Sequence, residues 1–471
     1  MSLTIGLINA SLPSYFPQQH GVFEAARTAL DNVAAREGYR IVEADGIPMD
    51  AAQAQNAVAS VRAAGADFIL LLHGGFTMGD VVREIASDLL PLGIWATPEP
   101  TLTKDIQLNN FVSLNMSMSI ARGVRDLKTH PVQWYLGAPN DPELMGRLEQ
   151  TLSALSARKS LQGARIGVVG GLAPTFYNME VSTATLKRQL GVSVDHIDIH
   201  AMTDLMRTQS QEDVAAELVE MTAAADVNGV SESQMDLTVR AVLALRQIAD
   251  DGGYDALAVS DWPALQDNPG MHPGAAFTWL EEKDKLPVAS EGDVLGAVTQ
   301  LVVKALTGRV GCLLDMTSPD LERDQILMWH GGGGPLYMAK DAASWINHPM
   351  IGRGTEAGPI YGAIADYEFA DGDVTVLRVS QHGTAQFVVE GQVSPGPAIG
   401  FDGCRGWVGA FSSVDGSCSA DDIVTTVMEQ GLEHHFVLFP GNYLSILEEF
   451  GRWCAMSELS VIRAHSGLPR L

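Results

Sequence analysis

The chain has little cysteine and a shortage of positive charge. Its four cysteines, Cys312, Cys404, Cys418 and Cys454, lie far apart and form no CxxC pair, which argues against a structural zinc site or a disulfide framework and leaves them as small buried hydrophobes. Lysine and arginine number 30 against 57 acidic residues, a formal charge of −27, so the surface repels phosphate backbones and no nucleic-acid partner is expected. No apolar run approaches the roughly 18 residues of a membrane helix. The opening MSLTIGLINASLP has no basic segment ahead of a long apolar stretch, so the expectation is a cytoplasmic protein without a membrane partner. A GxSxG elbow, a P-loop and a GxGxxG fingerprint are also missing. The glycines of GVVGG at 167–171 read as a tight turn.

What is present is a folded chain of several domains. A hydrophobic content of 46% with 18% charged residues is that of a globular protein, and 471 residues suffice for two to four domains at roughly 150 residues each. In the first third, the apolar runs TIGLINA, YRIVEAD and DFILLLH alternate with the amphipathic stretches GVFEAARTALDNVAAREG and AAQAQNAVASVRAAG. Such alternation means a parallel sheet. The pattern restarts at ARIGVVGG after the helical stretch DPELMGRLEQTLSALSARKSLQG, with further strands at VDHIDIH and YDALAVSDWP. From about residue 310, GAIADYEFADGDVTVLRVSQHGTAQFVVEGQVSPG alternates apolar and polar positions between AspGly, GluGly and ProGly, the mark of antiparallel strands and hairpins. The fold class is therefore α/β: two Rossmann-like parallel-sheet domains, 1–160 and 161–309, and an antiparallel β-barrel-like domain, 310–471. The last strand, helix and strand of that third domain are placed to pack back on the central one.

The second half places four kinds of costly side chain in or beside apolar runs: Glu291 in PVASEGD, Asp315 in CLLDMTSPD, His330 in MWHGGGGP and His434-His435 in LEHHFVLF. A charge or imidazole there needs a partner. Carboxylate oxygens together with imidazole nitrogens suit Mn²⁺, Zn²⁺, Fe²⁺ or Co²⁺, whereas Ca²⁺ or Mg²⁺ would prefer oxygen alone. Each residue also has an ordinary reading. Glu291 fits a helix cap, for which Asp293 is the better candidate. Asp315 fits a turn, His330 a hydrogen-bonded core histidine, and the glycines after it a plain loop. Two adjacent histidines at a strand start alternate faces, so at most one of them is expected to point into one site.

The segments PVASEGDVLGAVT, LLDMTSPD, WHGGGGP and LEHHFVLFPGNYLSILEEFGRWCAMSELSVI, in this order, resemble the corresponding stretches of the L-fucose isomerase and L-arabinose isomerase superfamily. SDWPAL resembles the fucose branch, and the histidine pair before a strand and helix resembles the arabinose branch. The resemblance implies a Mn²⁺-dependent aldose–ketose isomerase, other divalent transition metals being open to it, assembled as a homo-oligomer (hexamer or trimer) with active sites near subunit interfaces. It implies Glu291 and Asp315 as metal-binding carboxylates, His435 as the histidine ligand in preference to His434, and His330 as the additional histidine of the arabinose branch.

The chemistry is consistent with that implication. Moving a carbonyl between C1 and C2 of an open-chain sugar requires taking a weakly acidic C–H proton and returning it to the next carbon while ene-diolate charge is stabilised. Glu291 is assigned as base and ligand, and Asp315 as ligand and acid. His330 completes the metal shell or holds a sugar oxygen. Trp262, Asn115 and His73 are further sugar contacts, Trp262 because an indole face suits a sugar ring. A histidine satisfied locally in its loop is an equal reading of His73. The substrate expected is a pentose, deoxyhexose or related sugar. The alternatives are another metal-dependent ene-diolate reaction, epimerase or aldolase-like, and, least favoured, a sugar-binding protein without catalysis.

Overall fold

The computed structural model describes residues 2–102, 105–331, 333–348, 350, 362–400 and 402–464. The chain divides into two compact units, the first Met1–Ser160 with Glu449–Ala455, the second Leu161–Glu448 with Met456–Leu471.

In the first unit, β1 (Thr4–Ala10), β2 (Arg40–Glu43), β3 (Phe68–His73), β4 (Leu92–Ala96) and β5 (Val132–Leu136) form a parallel sheet ordered β2-β1-β3-β4-β5. The run FILLLH is buried along its whole length, as a parallel strand covered on both faces requires. The helix Val22–Glu37 stops at Gly38, whose φ of 72° lets its amide close back on the Ala34 carbonyl. The helix Ala51–Ala63 starts at Asp50, whose carboxylate accepts from the Gln53 amide.

The second unit opens with β6 (Arg165–Val169), β7 (Ser193–Ile197), β8 (Asp226–Val227), β9 (Ala256–Val259) and β10 (Val288–Ala289). All but β8 join a second parallel sheet, ordered β10-β9-β6-β7. Only the front of VDHIDIH is strand. Asp198 caps the helix Ile199–Thr208 by accepting from the His200 amide, so the local cap overrides the apolar alternation.

The remaining strands are β11 (Cys312–Asp320), β12 (Gln325–His330), β13 (Ser344–Ile346), β14 (Ile364–Glu368), β15 (Gly372–Ser380), β16 (Ala385–Val393), β17 (Cys404–Ser413), β18 (Gly416–Ser417), β19 (His435–Pro440) and β20 (Ser457–Glu458). The pairings β16–β17, β17–β12, β12–β11, β11–β19, β19–β15 and β15–β16 are all antiparallel and close a six-stranded ring. The β-barrel-like expectation is met by this ring, although the wider sheet is mixed: β14 pairs with β17, β20 with β16 and β8 with β13 in parallel, while β13 joins β14 antiparallel. GluGly at 390–391 is not a hairpin turn. It lies inside β16 at a register shift, where a side chain on Gly391 would press on Val408 and the Gly409 carbonyl. The turn falls instead at Gln381–Gly383. All four cysteines are free and buried, and among the described residues no helix is long and apolar enough to cross a membrane.

One acid is buried in this unit without a cation. Glu281 is 2% exposed, and its Oε1 accepts from Gln300 Nε2 at 2.6 Å and the Val288 amide at 3.4 Å. Burial raises its pKa to about 8 from an ordinary 4.5. An acid whose pKa is raised on folding keeps its proton when the unfolded chain has lost it, so stability falls as pH climbs from 4.5 towards 8. Glu281→Gln keeps the bond from Gln300 and removes the ionisation. Urea unfolding is expected to show no difference from wild type near pH 4.5 and a gain on the order of 4 kcal/mol at pH 8. A pH-independent difference would contradict this.

Candidate active site and metal centre

Glu291 follows the end of β10 and Asp261 the end of β9, so two carboxylates stand at the carboxyl edge of a parallel sheet, where ligands of such sheets bind. Glu291 has φ 60° and ψ 12°, a conformation few non-glycine residues adopt. It is fixed there from both sides: its amide donates to Asp261 Oδ1 at 2.5 Å and its carbonyl accepts from the Ala173 amide at 2.9 Å. A residue held in strained backbone by its surroundings is a common feature of functional sites.

The barrel supplies the rest. On β11, Asp315 stands directly opposite His435 of β19 and Trp329 of β12, which puts all three side chains on one face of the antiparallel ladder. His435 is fully buried, with Nε2 3.6 Å from Glu291 Oε2 and 3.9 Å from Asp315 Oδ1. Its Nδ1 lies 3.1 Å from Asp293 Oδ2. His435 Nε2 and Asp315 Oδ1 are both buried without a hydrogen-bond partner.

His434 also reaches this place, contrary to the expectation that only one of the pair would. Its Nε2 is 3.1 Å from Glu291 Oε2, and Asn178 Nδ2 donates to its Nδ1 at 3.1 Å. The reason is local: β19 begins at His435, so His434 sits in the bend before it and escapes strand alternation. Glu291, His434 and His435 each offer a ligand atom within 4.8 Å of the others. His330, at the end of β12, shares a hydrogen bond with Ser290 Oγ at 3.3 Å, its ring 5.5 Å from that of His435.

A cavity of about 280 Å³ adjoins the cluster, at the small end for a ligand site. Glu291, Asp315, Asp261 and His330 line it together with Phe176, Trp262, Trp329, His272 and His348. Trp262, 37% exposed, packs its indole 5.8 Å from the Phe176 ring. His272 and His348 are each locked by a backbone amide two residues on, Gly274 and Met350 respectively donating to Nδ1 at 3.2 Å. Two larger hollows, lined by Asp45–Ser60 residues and by residues around Tyr254 and Lys304, hold no such convergence of imidazole and carboxylate.

Electrostatics follow from burial. It raises Asp261 to about 7 and Asp315 above its ordinary value, and it lowers His330 and His272 well below theirs. Burial alone would also raise Asp293, but Arg378 and His435 outweigh it and hold this carboxyl well below the usual range. Against a similar burial penalty, the surrounding carboxylates, Asp293 first, raise His435.

His73 and Asn115 belong to the first unit and do not line this cavity. His73 is fully buried and neutral, its pKa lowered by burial to about 3, and its ring nitrogens are satisfied by Thr77, Ser113 and Ser117. Asn115 is exposed on the helix Asn110–Val124. Sequence reasoning passed over Asp261, His272, His348 and Arg378. For Asp261 a signal existed: SDWP follows a buried strand at the carboxyl edge of a parallel sheet. The sequence offers Asp293 only as a cap, which it is, its Oδ1 accepting from the Gly296 amide at 2.9 Å. The glycines after His330 are more than a loop. Gly334 is wedged where a Cβ would lie 2.8 to 2.9 Å from Cys312 Sγ, Tyr367 Oη and Cys404 Sγ, while Gly332 lies outside the described residues.

No family model matches the chain. It is similar to curated sulfoquinovose isomerases from Priestia aryabhattai and Priestia megaterium, each 25% identical over 402 residues that cover 83% of this chain and 85% of the relative. A sulfoquinovose isomerase from Alkalicoccus urumqiensis is 23% identical over 370 residues, 77% of this chain and 79% of that one. Among solved structures, an ABC transporter solute-binding protein from Agrobacterium vitis bound with alpha-D-tagatopyranose matches 66% of this chain and 90% of its own at 15% identity and a TM-score of 0.18, too low to bear on fold or ligand. The isomerase relatives, spanning both units, identify the class: the chain is an enzyme, an intramolecular oxidoreductase of the aldose–ketose isomerase kind.

Gly292 has φ 72°, and a Cβ there would collide with the Gly171 carbonyl. Gly292→Ala is therefore expected to lose roughly 2–3 kcal/mol in urea unfolding and to lose activity with it, by displacing Glu291. Wild-type stability in this variant would contradict the packing described.

Proposed function

We propose that the chain interconverts an aldose and its ketose using a divalent transition metal, Mn²⁺ or a similar ion, held by Glu291, Asp315 and His435 with His434 beside them, and that sulfoquinovose is its substrate. The observation that carries the metal is the pair of buried, unpartnered atoms His435 Nε2 and Asp315 Oδ1, 3.9 Å apart, with Glu291 Oε2 3.6 Å from the same nitrogen. Inward-facing imidazole and carboxylate atoms are costly to bury unless a cation lies among them. Mixed nitrogen and oxygen donors favour Mn²⁺, Fe²⁺, Co²⁺ or Zn²⁺. The names of the curated relatives support the sugar, as does a small cavity walled by indoles and imidazoles. Sulfoquinovose is a six-carbon deoxy sugar carrying a sulfonate, within the deoxyhexose class the motifs point to.

Once bound, the cation would supply electrophilic stabilisation to the negative charge that develops on the sugar. The protein's own groups do the remaining work. Glu291 takes the proton from C2 of the open-chain aldose and returns it to C1, its carboxylate aimed by a backbone pinned to Asp261 and Ala173. Asp315 attends the hydroxyl proton. His330 holds a sugar hydroxyl at the cavity wall, and Trp262 with Phe176 offers an aromatic face to the carbon skeleton. A homo-oligomer, hexamer or trimer, with sites near subunit interfaces belongs to the same proposal, and light scattering on the purified protein reads its mass.

Sulfoquinovose and a panel of aldoses incubated in D₂O with Mn²⁺-loaded protein are expected to yield the ketose of sulfoquinovose by NMR, deuterated where solvent exchange intervenes. Chelated protein and Glu291→Gln should each fall by at least about 10²-fold. An epimeric aldose or a cleaved fragment as the product would establish the epimerase or aldolase reaction instead. Conversion of no sugar by metal-loaded protein would sink the proposal.

A further inference from the structure

Arg378, on β15, touches neither the cavity nor any of the reacting groups, yet it is completely buried. Taking a guanidinium out of water is costly unless its partners repay it. Its main partner is Asp293: Nη1 donates to Oδ2 at 2.6 Å and Nη2 to Oδ1 at 3.2 Å. Its Nε faces Glu433 Oε2 at 3.5 Å, an oxygen that also accepts from Ser380 Oγ at 2.7 Å.

Capping the helix Val294–Thr307 does not require such a pair. A serine or asparagine with one oxygen would serve. The second oxygen of Asp293 has another neighbour, His435 Nδ1 at 3.1 Å. A carboxylate in a bidentate pair with arginine accepts hydrogen bonds and donates none, so His435 must present an N–H at Nδ1. In the neutral ring, the lone pair then lies on Nε2, the buried nitrogen with no partner that faces Glu291 and Asp315.

We infer that Arg378 and Asp293 are positioning residues of the metal centre, the pair fixing both the ring orientation and the Nδ1–H tautomer of His435 so that Nε2 is delivered to the cation. This rests on the metal-dependent reading above. Arg378 joins three pieces of chain for the purpose: β15, the helix start two residues after Glu291, and the segment leading into β19. Carboxylate partners of ligating histidines typically contribute 10- to 100-fold to metal affinity.

The test measures Mn²⁺ affinity by calorimetry and the absorption spectrum of the Co²⁺-substituted protein, with thermal unfolding of the metal-free proteins alongside. Wild type should bind Mn²⁺ and Glu291→Gln should not. Asp293→Asn should bind Mn²⁺ about 10- to 100-fold more weakly, with a shifted Co²⁺ band. The double variant Arg378→Met with Asp293→Asn strands neither charge of the pair and leaves Glu433 its hydrogen bond from Ser380, so it decides the matter even where a single variant fails to fold. It should show a similar loss, because the two residues act as one unit. Wild-type affinity and an unchanged Co²⁺ band in the double variant would overturn the inference while leaving the metal reading intact. A wild type that binds no Mn²⁺, or a Glu291→Gln variant that binds it equally well, would overturn the metal reading and this inference with it.

Discussion

A buried ion pair beneath the cluster governs the site. Arg378 and Asp293 are both fully excluded from solvent, and removing one partner of such a pair costs about 3–5 kcal/mol because the other charge is left stranded. Asp293 simultaneously caps the helix that follows Glu291 and touches the ring of His435. Helix start, barrel strand and imidazole therefore cannot move independently. Burying so much charge so close to the cavity is easier to understand as preorganisation than as stabilisation, since a well-packed apolar pair would hold the fold at least as well.

The two sheets of the second unit divide the labour. The parallel sheet ends in two carboxylates, Glu291 and Asp261, one pinning the backbone of the other. The antiparallel ring contributes Asp315 and His435 from facing positions on adjacent strands, together with His330. A ladder holds opposed side chains at a fixed spacing, whereas a turn at a strand end can be strained to aim a single group, as at Glu291. Under the proposed reaction, a rigid donor set facing an aimed base is the arrangement that proton transfer between neighbouring carbons demands.

Much of the fold could be read from the chain, because strands such as FILLLH and IGVV are continuous apolar runs and the helices between them carry their own caps. The five-residue strands LGIWA and VQWYL were not singled out, being too short for a period to emerge. The metal-ligand candidates were legible as charges in apolar surroundings. Their supports were not. Asp293 explains itself locally as a cap, and Arg378 reads as one polar position in an alternating strand. Only a fold that brings residues 85 positions apart into contact reveals the pair. The partnership of Asp293 with His435 spans 142 positions and is equally silent in the sequence. His434 escapes the strand alternation because β19 begins only at the residue after it.

An anomalous difference map from a crystal of the protein grown with Mn²⁺ and measured at the manganese edge bears most directly on the metal centre. A single strong peak within coordinating distance of Glu291, Asp315 and His435 Nε2 is the expected result. A map with no peak there, or with the ion bound elsewhere and His435 Nε2 unligated, would contradict a metal-dependent isomerase built on these residues.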